Sequence, residues 1–273
     1  MREGEQPCIQ FLKWALPRLD LRWEGFRKVH GQVCKRINKR MHQLGLEDYN
    51  GYRSFLENHR NEWDSLEQMT HISISRFFRD RMDWEELGEN LLPTLAQHAV
   101  EKKRIFRCWS AGCASGEEPY SMAILWRQKI IPEFSGLTLK LIATDADEYL
   151  LHRAKRAIYS PGSIKEAPEK WIKAAFEKVN DEFRLRNSYR TMVDLHQQDI
   201  RKELPEGIFD LIFCKNLVAM YFRQELAVKL FRKIIAKLRE GGLLVLGNHE
   251  TVPEQAATKL VLYRKGLNLY QKQ

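Results

Sequence analysis

The sequence predicts an α/β fold with a parallel sheet, preceded by an all-helical N-terminal segment. From Ile105 onward, apolar runs of five or six residues alternate with segments of helical periodicity, which is typical of βαβ units. Before Phe106 no alternating strand pattern occurs, and residues 8 to about 70 show helical spacing with short breaks. The stretch of small residues Ser110–Gly116 between a predicted strand and a predicted helix is typical of a ligand-binding loop.

In the helical segment, Asp48 and Asn50 are candidate N-caps for a helix with an apolar stripe. Residues 157–190 mix helical and short extended patterns, which indicates a subdomain inserted beside the sheet. The chain ends in a predicted β-hairpin around Lys265-Gly266. The predicted strands of the sheet are Ile105–Trp109, Leu139–Thr144, Val193–Gln197, Phe209–Cys214 and Leu243–Gly247.

Composition restricts the class of protein. The 273 residues, 44% hydrophobic and 30% charged, suit one large globular domain or a catalytic domain with a smaller companion. No run of about 18 apolar residues occurs, so no membrane insertion is expected. The charged N-terminus lacks the apolar core of a secretory signal. The five cysteines are scattered without a C-x-x-C pair, which predicts a reduced cytoplasmic protein with neither structural zinc nor disulfides.

The formal net charge of +9 indicates an anionic partner. Part of the excess lies between Phe26 and Leu46, a segment with six lysines and arginines and no acid. Its apolar residues recur every three or four positions, which predicts an amphipathic helix with one basic face. That face is either a docking surface for an acidic partner or simply the solvated side of a packing helix.

The small-residue loop and the helix after it indicate the kind of ligand. Small residues such as Ala111 and Gly112 let a ligand approach the backbone closely. Glu117 and Glu118 at the start of the helix would repel the pyrophosphate of a dinucleotide, and the G-x-G-x-x-G pattern is missing. A ligand without phosphate and with positive charge fits better, and S-adenosylmethionine is such a ligand.

An acid follows the second predicted strand. Asp145 stands where nucleoside-binding folds hold ribose hydroxyls, and Asp147 lies just beyond it. The alternative interpretation of Asp145 is a helix N-cap. The loop that precedes it favours the ribose contact. His71 and His249 lack partners at metal-ligand spacing, so no metal site is predicted.

Several separated motifs carry a resemblance that extends from about residue 20 to the C-terminus. The chain resembles the CheR-type chemoreceptor glutamate methyltransferases. The motifs are SRFFRD (75–80), WSAGCASGEEPYS (109–121), ATDADEYLLHRAKRAIY (143–159), FDLIFCKN (209–216) and YF (221–222).

The resemblance implies a helical N-terminal domain with a linker over residues 1–83 and a Rossmann-like methyltransferase domain over 84–273. A small β subdomain would be inserted at about 157–191. The implied reaction transfers a methyl group from S-adenosylmethionine to the side-chain carboxylate of a protein glutamate and leaves S-adenosylhomocysteine. Chemoreceptor helices or other acidic helical proteins would dock on the basic helix 26–46. Neither stable nucleic-acid binding nor a metal is implied.

The resemblance also assigns residues. Arg79 would reach the donor site, Glu118 would contact the donor, and Asp145 would hold its ribose. The implied catalytic residues are Arg79, Lys215 and Tyr221. The implied donor-binding residues are Ser73, Ser75, Arg79, Ala111, Gly112, Glu118, Asp145, Asp199, Ile200, Lys215 and Asn216.

The proposed chemistry agrees with these residue types. A glutamate carboxylate is ionised at neutral pH, so its attack on an activated methyl group needs no general base. The enzyme must instead remove water from the carboxylate and align it with the sulfonium. A cation beside the acceptor can orient it, which suits Arg79 and Lys215.

The sequence departs from the family pattern at three places. The motif CRN is CKN here, with Tyr221 five residues after Asn216 instead of four, and Ser73 stands where asparagine is common. The inserted region 176–191 lacks glycine, which predicts action without a receptor tether peptide. Two alternatives remain open: a methyltransferase of another substrate class, including nucleic acid, or a non-catalytic module that binds S-adenosylmethionine.

Overall fold

The computed structural model describes residues 5–72 and 75–273, which form two compact units. The first unit contains residues up to 74 together with 219–227, and the second contains 75–218 and 228–273. Within the described ranges, every helix is too short or too polar to span a bilayer. Ser73, a predicted donor-binding residue, lies outside the described residues.

The first unit is helical, as predicted. A 3₁₀ turn, Leu16–Leu19, follows its first helix. Asp48 caps the fourth helix, because its Oδ1 accepts the backbone N–H of Gly51 at 2.7 Å. The helices are α1 (Glu5–Ala15), α2 (Trp23–Phe26), α3 (His30–Gln43), α4 (Tyr49–Asn58) and α5 (Glu62–Thr70).

The later segment 219–227 completes this unit. Leu21 forms an isolated antiparallel bridge with Phe222, and the N–H of Arg22 donates to the carbonyl of Tyr221 at 2.8 Å. The rings of Phe26 and Tyr221 lie 5.2 Å apart between centroids. The first unit is therefore discontinuous in sequence.

Helix α3 is amphipathic as predicted, but it spans His30–Gln43 and not the whole predicted range 26–46, because a turn at residues 27–29 separates it from α2. Val33, Ile37 and Met41 are buried on its inner side. Arg40 forms a two-point contact with the buried carboxylate of Glu62, with nitrogen–oxygen distances of 2.9 and 2.6 Å.

Arg36 of the same helix donates to the backbone carbonyls of residues 69 and 71. Two of the six lysines and arginines between residues 26 and 46 are therefore engaged in contacts within the first unit. The remaining four, Arg27, Lys28, Lys35 and Lys39, are exposed.

The expectation of a chain without disulfides is wrong. Cys8 of α1 and Cys34 of α3 form a disulfide, with their Cα atoms 6.1 Å apart and 26 residues apart in sequence. No spacing pattern marks this pair, because the packing of α1 on α3 brings the two cysteines together. The other three cysteines, Cys108, Cys113 and Cys214, are buried free thiols.

The second unit alternates helices and strands. Two π-helical turns, Leu87–Leu91 and Trp126–Ile130, and a 3₁₀ turn, Glu254–Ala256, interrupt the regular elements. Its helices are α6 (Arg81–Glu86), α7 (Leu92–Glu101), α8 (Glu117–Leu125), α9 (Glu148–Arg156), α10 (Pro161–Ile164), α11 (Glu169–Ala175) and α12 (Asn187–Arg190). Helices α13 (Val218–Tyr221) and α14 (Gln224–Ala236) carry the chain through the segment 219–227.

The strands form one seven-stranded and one three-stranded sheet. They are β1 (Phe106–Ala111), β2 (Leu139–Asp145), β3 (Ile158–Tyr159), β4 (Phe176–Val179), β5 (Glu182–Leu185), β6 (Val193–Gln197), β7 (Phe209–Phe213), β8 (Leu238–Val245), β9 (Leu260–Leu262) and β10 (Leu269–Lys272). The large sheet has the order β6-β2-β1-β7-β8-β10-β9. Its first five strands are parallel, and β10 is antiparallel to both of its neighbours. The predicted fold class, a Rossmann-like sheet after a helical N-terminal region, is confirmed.

The predicted strands and the C-terminal hairpin are present with shifted ends. The largest shift concerns β8, which begins at Leu238 instead of Leu243. Leu238 pairs with Phe209 before an irregularity in the register, and the polar sequence Arg239–Gly242 hides this start from an apolar pattern.

The predicted insertion is the three-stranded antiparallel sheet of order β3-β5-β4. A two-residue turn joins β4 to β5, and its first residue, Asn180, has a φ of 55°. Asparagine tolerates this left-handed conformation better than most residues, so the turn forms without glycine. Phe77 packs edge-on against Tyr159 and Phe176 of this sheet, with centroid distances of 4.8 and 5.0 Å.

Candidate functional site

The candidate site is built where the parallel strands β1, β2 and β7 end. Ala111 lies opposite Thr144 in the register of β1 and β2, and Ser110 lies opposite Phe213 of β7. The loops that leave these three strands therefore start at one edge of the sheet, where open α/β sheets bind their ligands.

The loop after β1 is held tightly to β2. The N–H groups of Gly112 and Cys113 both donate to the carbonyl of Thr144, at 2.8 and 3.0 Å. Gly116 has a φ of 91°, and a Cβ there would lie 2.7 Å from the ring of Tyr120. Glycine is required at this position both by backbone conformation and by lack of space.

Asp145 is fixed at the end of β2 with its carboxylate against this loop. Its Oδ2 accepts the N–H of Ala114 at 2.8 Å, and its Oδ1 accepts the N–H of Asp147 at 2.9 Å. The N-cap of α9 is Asp147, whose Oδ1 accepts the N–H of Leu150 at 3.1 Å. The N-cap interpretation of Asp145 is therefore wrong.

The two glutamates at the start of α8 have different surroundings. The Oε1 of Glu118 accepts the hydroxyl of Ser110 at 2.7 Å. Burial raises the pKa of Glu118 to about 7, against the opposing effects of Lys215 and Ser110. Burial also raises the pKa of Glu117, which accepts hydrogen bonds from the predicted donor residue Ser75 and from Ser115.

Arg79 lies in a strained segment. Phe78 and Asp80, which flank it, have φ values of 55° and 65°, a conformation that costs energy for residues other than glycine. The hydroxyl of Ser121 accepts the N–H of Phe78 at 3.0 Å and fixes the segment on α8. Backbone strain held by surrounding contacts is typical of functional sites, so the segment is pre-positioned around Arg79.

Lys215 connects this segment to the loop after β7. Its ammonium lies 2.7 Å from Oδ2 of Asp80, 3.7 Å from Oδ2 of Asp83 and 3.2 Å from the carbonyl oxygen of Arg79. The side chain is 6% exposed. The resemblance implies a catalytic and donor-binding role for Lys215, but sequence reasoning missed both of its acidic partners on the Arg79 segment.

Glu250 is another residue that sequence reasoning missed. Its Oε2 accepts the N–H groups of Asn216 and Gly247, which shapes the turn after β7. Asn216 has a φ of 53°. Burial raises the pKa of Glu250, although these backbone donors and Lys215 oppose the shift. No sequence motif marked this residue, because its role depends on contacts 34 positions away in the chain.

Asp199 and Ile200 follow β6 beside Asp145. The N–H of Gln198 donates to the carbonyl of Asp145 at 3.0 Å. Burial alone would raise the pKa of Asp199, but hydrogen bonds from Arg201 outweigh it, so the pKa is lowered. The guanidinium of Arg201 contacts both carboxylate oxygens, at distances down to 2.6 Å. Ile200 is buried.

The predicted site residues that belong to the second unit thus lie together near the ends of β1, β2, β6 and β7. Tyr221 belongs to the first unit, where its ring packs against Phe26.

Around Lys215, carboxyl groups outnumber cations. Electrostatic interactions join Asp80, Asp83, Glu118 and Glu250 to this one ammonium. Such a site favours a ligand with positive charge over an anion.

The family model described as "CheR methyltransferase, SAM binding domain" matches residues 73–265. The chain belongs to the CheR methyltransferases. It is therefore an S-adenosylmethionine-dependent methyltransferase, and the predicted family, enzyme class and cofactor are confirmed.

Two similar curated proteins are a probable chemotaxis protein methyltransferase of Rhizobium etli and a chemotaxis protein methyltransferase of Listeria innocua. The first is 29% identical over 245 residues, which are 87% of this chain and 90% of the relative. The second is 32% identical over 189 residues, 69% of each protein. Among solved structures, the StiE O-methyltransferase domain is 19% identical with a TM-score of 0.32, over 57% of this chain and 41% of that domain.

The residues of this CheR-family chain fit the donor. The second carboxylate oxygen of Glu250, Oε1, is buried without a hydrogen bond among the described residues, and the acids around Lys215 suit the sulfonium and amino groups. A Cβ at Gly112 would lie 2.9 Å from the Leu217 side chain and one at Gly116 2.7 Å from the Tyr120 ring, so glycine at both positions lets the loop pack on its own neighbours.

We expect donor affinity to increase with pH. The pKa of Glu118 is about 7 in the ligand-free folded protein, against 4.5 ordinarily. Between these two values the unfolded chain has lost the proton and the folded protein has kept it, so the free energy of unfolding decreases as pH rises through that interval. A cationic donor favours the ionised carboxylate. Binding below pH 7 must therefore release a proton, and the affinity falls by up to about tenfold per pH unit there.

The measurement is calorimetric titration with S-adenosylhomocysteine and S-adenosylmethionine at pH 6 and pH 8, in two buffers of different ionisation enthalpy. Wild type should bind about tenfold more weakly at pH 6. The variant Glu118→Gln should bind the ligands with the same affinity at pH 6 and pH 8, and that affinity should be lower than the wild-type affinity at pH 8. Equal wild-type affinities without proton release would contradict the assignment.

Proposed function

We propose that this methyltransferase esterifies glutamate side chains of an acidic helical protein, with chemoreceptor-type helices as the leading candidates, and that it works in the cytoplasm. The observation that carries the proposal is the exposed cationic surface of α3 and of the turn that precedes it. Arg27, Lys28, Lys35 and Lys39 are exposed, and the segment 26–46 contains no acid. An acidic helix offers glutamates on one side and has the complementary charge. Two relatives carry chemotaxis methyltransferase in their names.

The acceptor needs positioning more than activation. Bound S-adenosylmethionine supplies an electrophilic methyl group, and S-adenosylhomocysteine is the product. The acceptor carboxylate is ionised at neutral pH, so the chain supplies no base. Its residues exclude water and align the acceptor oxygen, which accounts for most of the rate gain in such a transfer.

We assign Asp145 to the ribose, Asp199 and Ile200 to the adenine, and Ser75, Glu118 and the loop at Ala111–Gly112 to the rest of the donor. Ser73 and Asn216 remain donor-binding proposals on the resemblance alone. Arg79 and Tyr221 are proposed to orient the acceptor.

Lys215 is better placed as a positioning residue. Its ammonium contacts Asp80 and the carbonyl of Arg79, so it fixes the segment that presents the Arg79 guanidinium. The proposal includes action without a tether peptide, because the β4–β5 turn is built on Asn180 and contains no glycine.

The test uses methyl-labelled S-adenosylmethionine and a chemoreceptor cytoplasmic fragment with exposed glutamates. The variant Lys35→Glu/Lys39→Glu reverses two charges of α3. We expect kcat/KM for the fragment to fall at least tenfold with unchanged donor affinity. The matched control is Lys229→Glu/Lys233→Glu on α14, which has the same spacing and charge change and also begins from exposed lysines. It should retain kcat/KM.

The product distinguishes the alternatives. Methyl label that is released by mild base indicates an ester, whereas base-stable label would mean transfer to nitrogen and overturn the proposal. If the protein binds the donor, Asp145→Ala weakens that binding, and no methyl group is transferred to any acidic fragment, the results would favour the non-catalytic module. An equal loss in both lysine pairs would remove α3 as the docking surface.

A further inference from the structure

An open cavity of about 350 Å³ lies in the second unit, against the edge strand β6. It is lined by none of the residues assigned to the donor or the acceptor. The polar residues on its wall come from α9, α12 and β6 and include Lys155, Asn187, Arg190, Thr191, Asp194 and His196. Its size is at the lower end of small-molecule sites, which begin at about 300 Å³.

The wall of this cavity has an excess of positive charge. Lys155 and Arg190 carry permanent charges, and within residues 5–72 and 75–273 neither has a carboxylate oxygen within 4.0 Å. Asp194 is the one acid on the wall. By contrast, the nearby arginines 186 and 201 each contact a carboxylate. The wall of the cavity therefore carries two permanent cations against one acid, and neither cation forms an ion pair within the described residues.

Neutral hydrogen-bond donors accompany these cations. Residues 193–196, which line the cavity, belong to a strand that pairs with β2, and the described part of the chain places no second strand beside it. Its outer backbone N–H groups and the side-chain amide of Asn187 can donate to oxygen atoms. Cations together with N–H donors are a combination that binds phosphate or carboxylate oxygens.

The cavity shares a side chain with the donor loop. Tyr120 lines the cavity, is 1% exposed, and donates its hydroxyl to the carbonyl of Ala154 at 3.1 Å. The same ring is packed against Gly116, where an added Cβ would lie 2.7 Å from it. A ligand that shifts Tyr120 must therefore also act on the backbone of the donor loop.

We propose that this cavity binds a small anion with two or more negative charges, of the phosphate or polycarboxylate class, and that its occupancy changes donor affinity through Tyr120. The protein would then respond to a metabolite at a place separate from both reactants. Phosphates and polycarboxylates share the oxygen-rich dianionic chemistry that Lys155 and Arg190 recognise.

The test is calorimetric titration of the full chain with inorganic pyrophosphate and, separately, with citrate. We expect saturable binding of at least one probe at one site per chain. Lys155→Gln and Arg190→Gln should each weaken it at least tenfold. Arg156→Gln is the matched control, because it removes the same charge one residue further along α9, is exposed and does not line the cavity. Pyrophosphate binding alone assigns the phosphate class, and citrate binding alone assigns the polycarboxylate class.

Equal weakening by all three variants would show diffuse attraction to a basic protein and overturn the site, as would failure of both probes to saturate. Circular dichroism of each variant establishes that it is folded. A second titration measures S-adenosylhomocysteine affinity with and without the saturating probe. A change of at least threefold supports the coupling, and an unchanged affinity overturns it.

Discussion

Replacing Lys215 with methionine is expected to lower the free energy of unfolding by about 3–5 kcal/mol, the usual cost of removing one partner from a buried ion pair. Lys215 is 6% exposed, and the Asp80 and Asp83 side chains beside it are 11% and 4% exposed. Without the ammonium, two largely buried carboxylates remain without this cation. The measurement is urea denaturation of the ligand-free protein at pH 8.

The loss should shrink in acid. Burial raises the pKa of Asp83, and Lys215 opposes that shift, so the pKa rises further in Lys215→Met. Protonation then removes the uncompensated charge, and the deficit at pH 5 should be smaller than at pH 8.

Two variants serve as controls for this cluster. Lys215→Arg keeps the charge and should lose much less stability. Lys215→Met/Asp80→Asn/Asp83→Asn removes all three charges and should recover most of the loss, with Asn tolerated at the left-handed position 80. A deficit below about 1 kcal/mol at pH 8, which is the size of an exposed pair, would show that the cluster is solvated.

Removing the Cys8–Cys34 disulfide is expected to lower the free energy of unfolding by about 3 kcal/mol, from the entropy of an unfolded chain closed over 26 residues. The bond joins α1 to the basic helix α3, so its loss acts on the proposed docking surface as well. The variant Cys8→Ser/Cys34→Ser is compared with wild type by urea denaturation, without and with dithiothreitol.

The two proteins should differ without reductant and converge with it, since reduction removes the same cross-link from wild type. Thiol titration of the unreduced, unfolded wild type should give three free thiols, those of Cys108, Cys113 and Cys214. Five free thiols would contradict the disulfide. Burial raises the pKa of all three free thiols, so the folded protein should react slowly with thiol reagents.

Local patterns were sufficient to predict much of the fold. The sequences of β1, β2 and β7 contain apolar runs, which is the pattern of strands that are buried on both faces of a sheet. This pattern can be recognised from a few neighbouring residues. The inner side of α3 and the cap at Asp48 were equally predictable, because helix periodicity and capping involve residues a few positions apart.

The site was predictable only in part, because its remaining features depend on distant contacts. Asp145 could be identified from its place after a strand, but the ion pair of Lys215 with Asp80 joins residues more than 130 positions apart. The left-handed conformations of Phe78 and Asp80 have no signal in their residue types, since neither is glycine. The contacts of Glu250 and the pairing of Cys8 with Cys34 also depend on tertiary packing, which local sequence patterns do not predict.

The discontinuous first unit has a consequence for how the chain can be divided. A polypeptide that stopped at residue 74 would lack the partners of α2 and of the residues just before it, namely Tyr221, which contacts Phe26, and Phe222, which bridges to Leu21. The helical part is therefore not a detachable N-terminal module. Substitutions in α2 also act on the segment that carries Tyr221, and Gly25 is the most sensitive position, because a Cβ there would lie 2.5 Å from the carbonyl oxygen of Met220. Variation near residue 25 and variation near residue 220 are thus constrained to occur together.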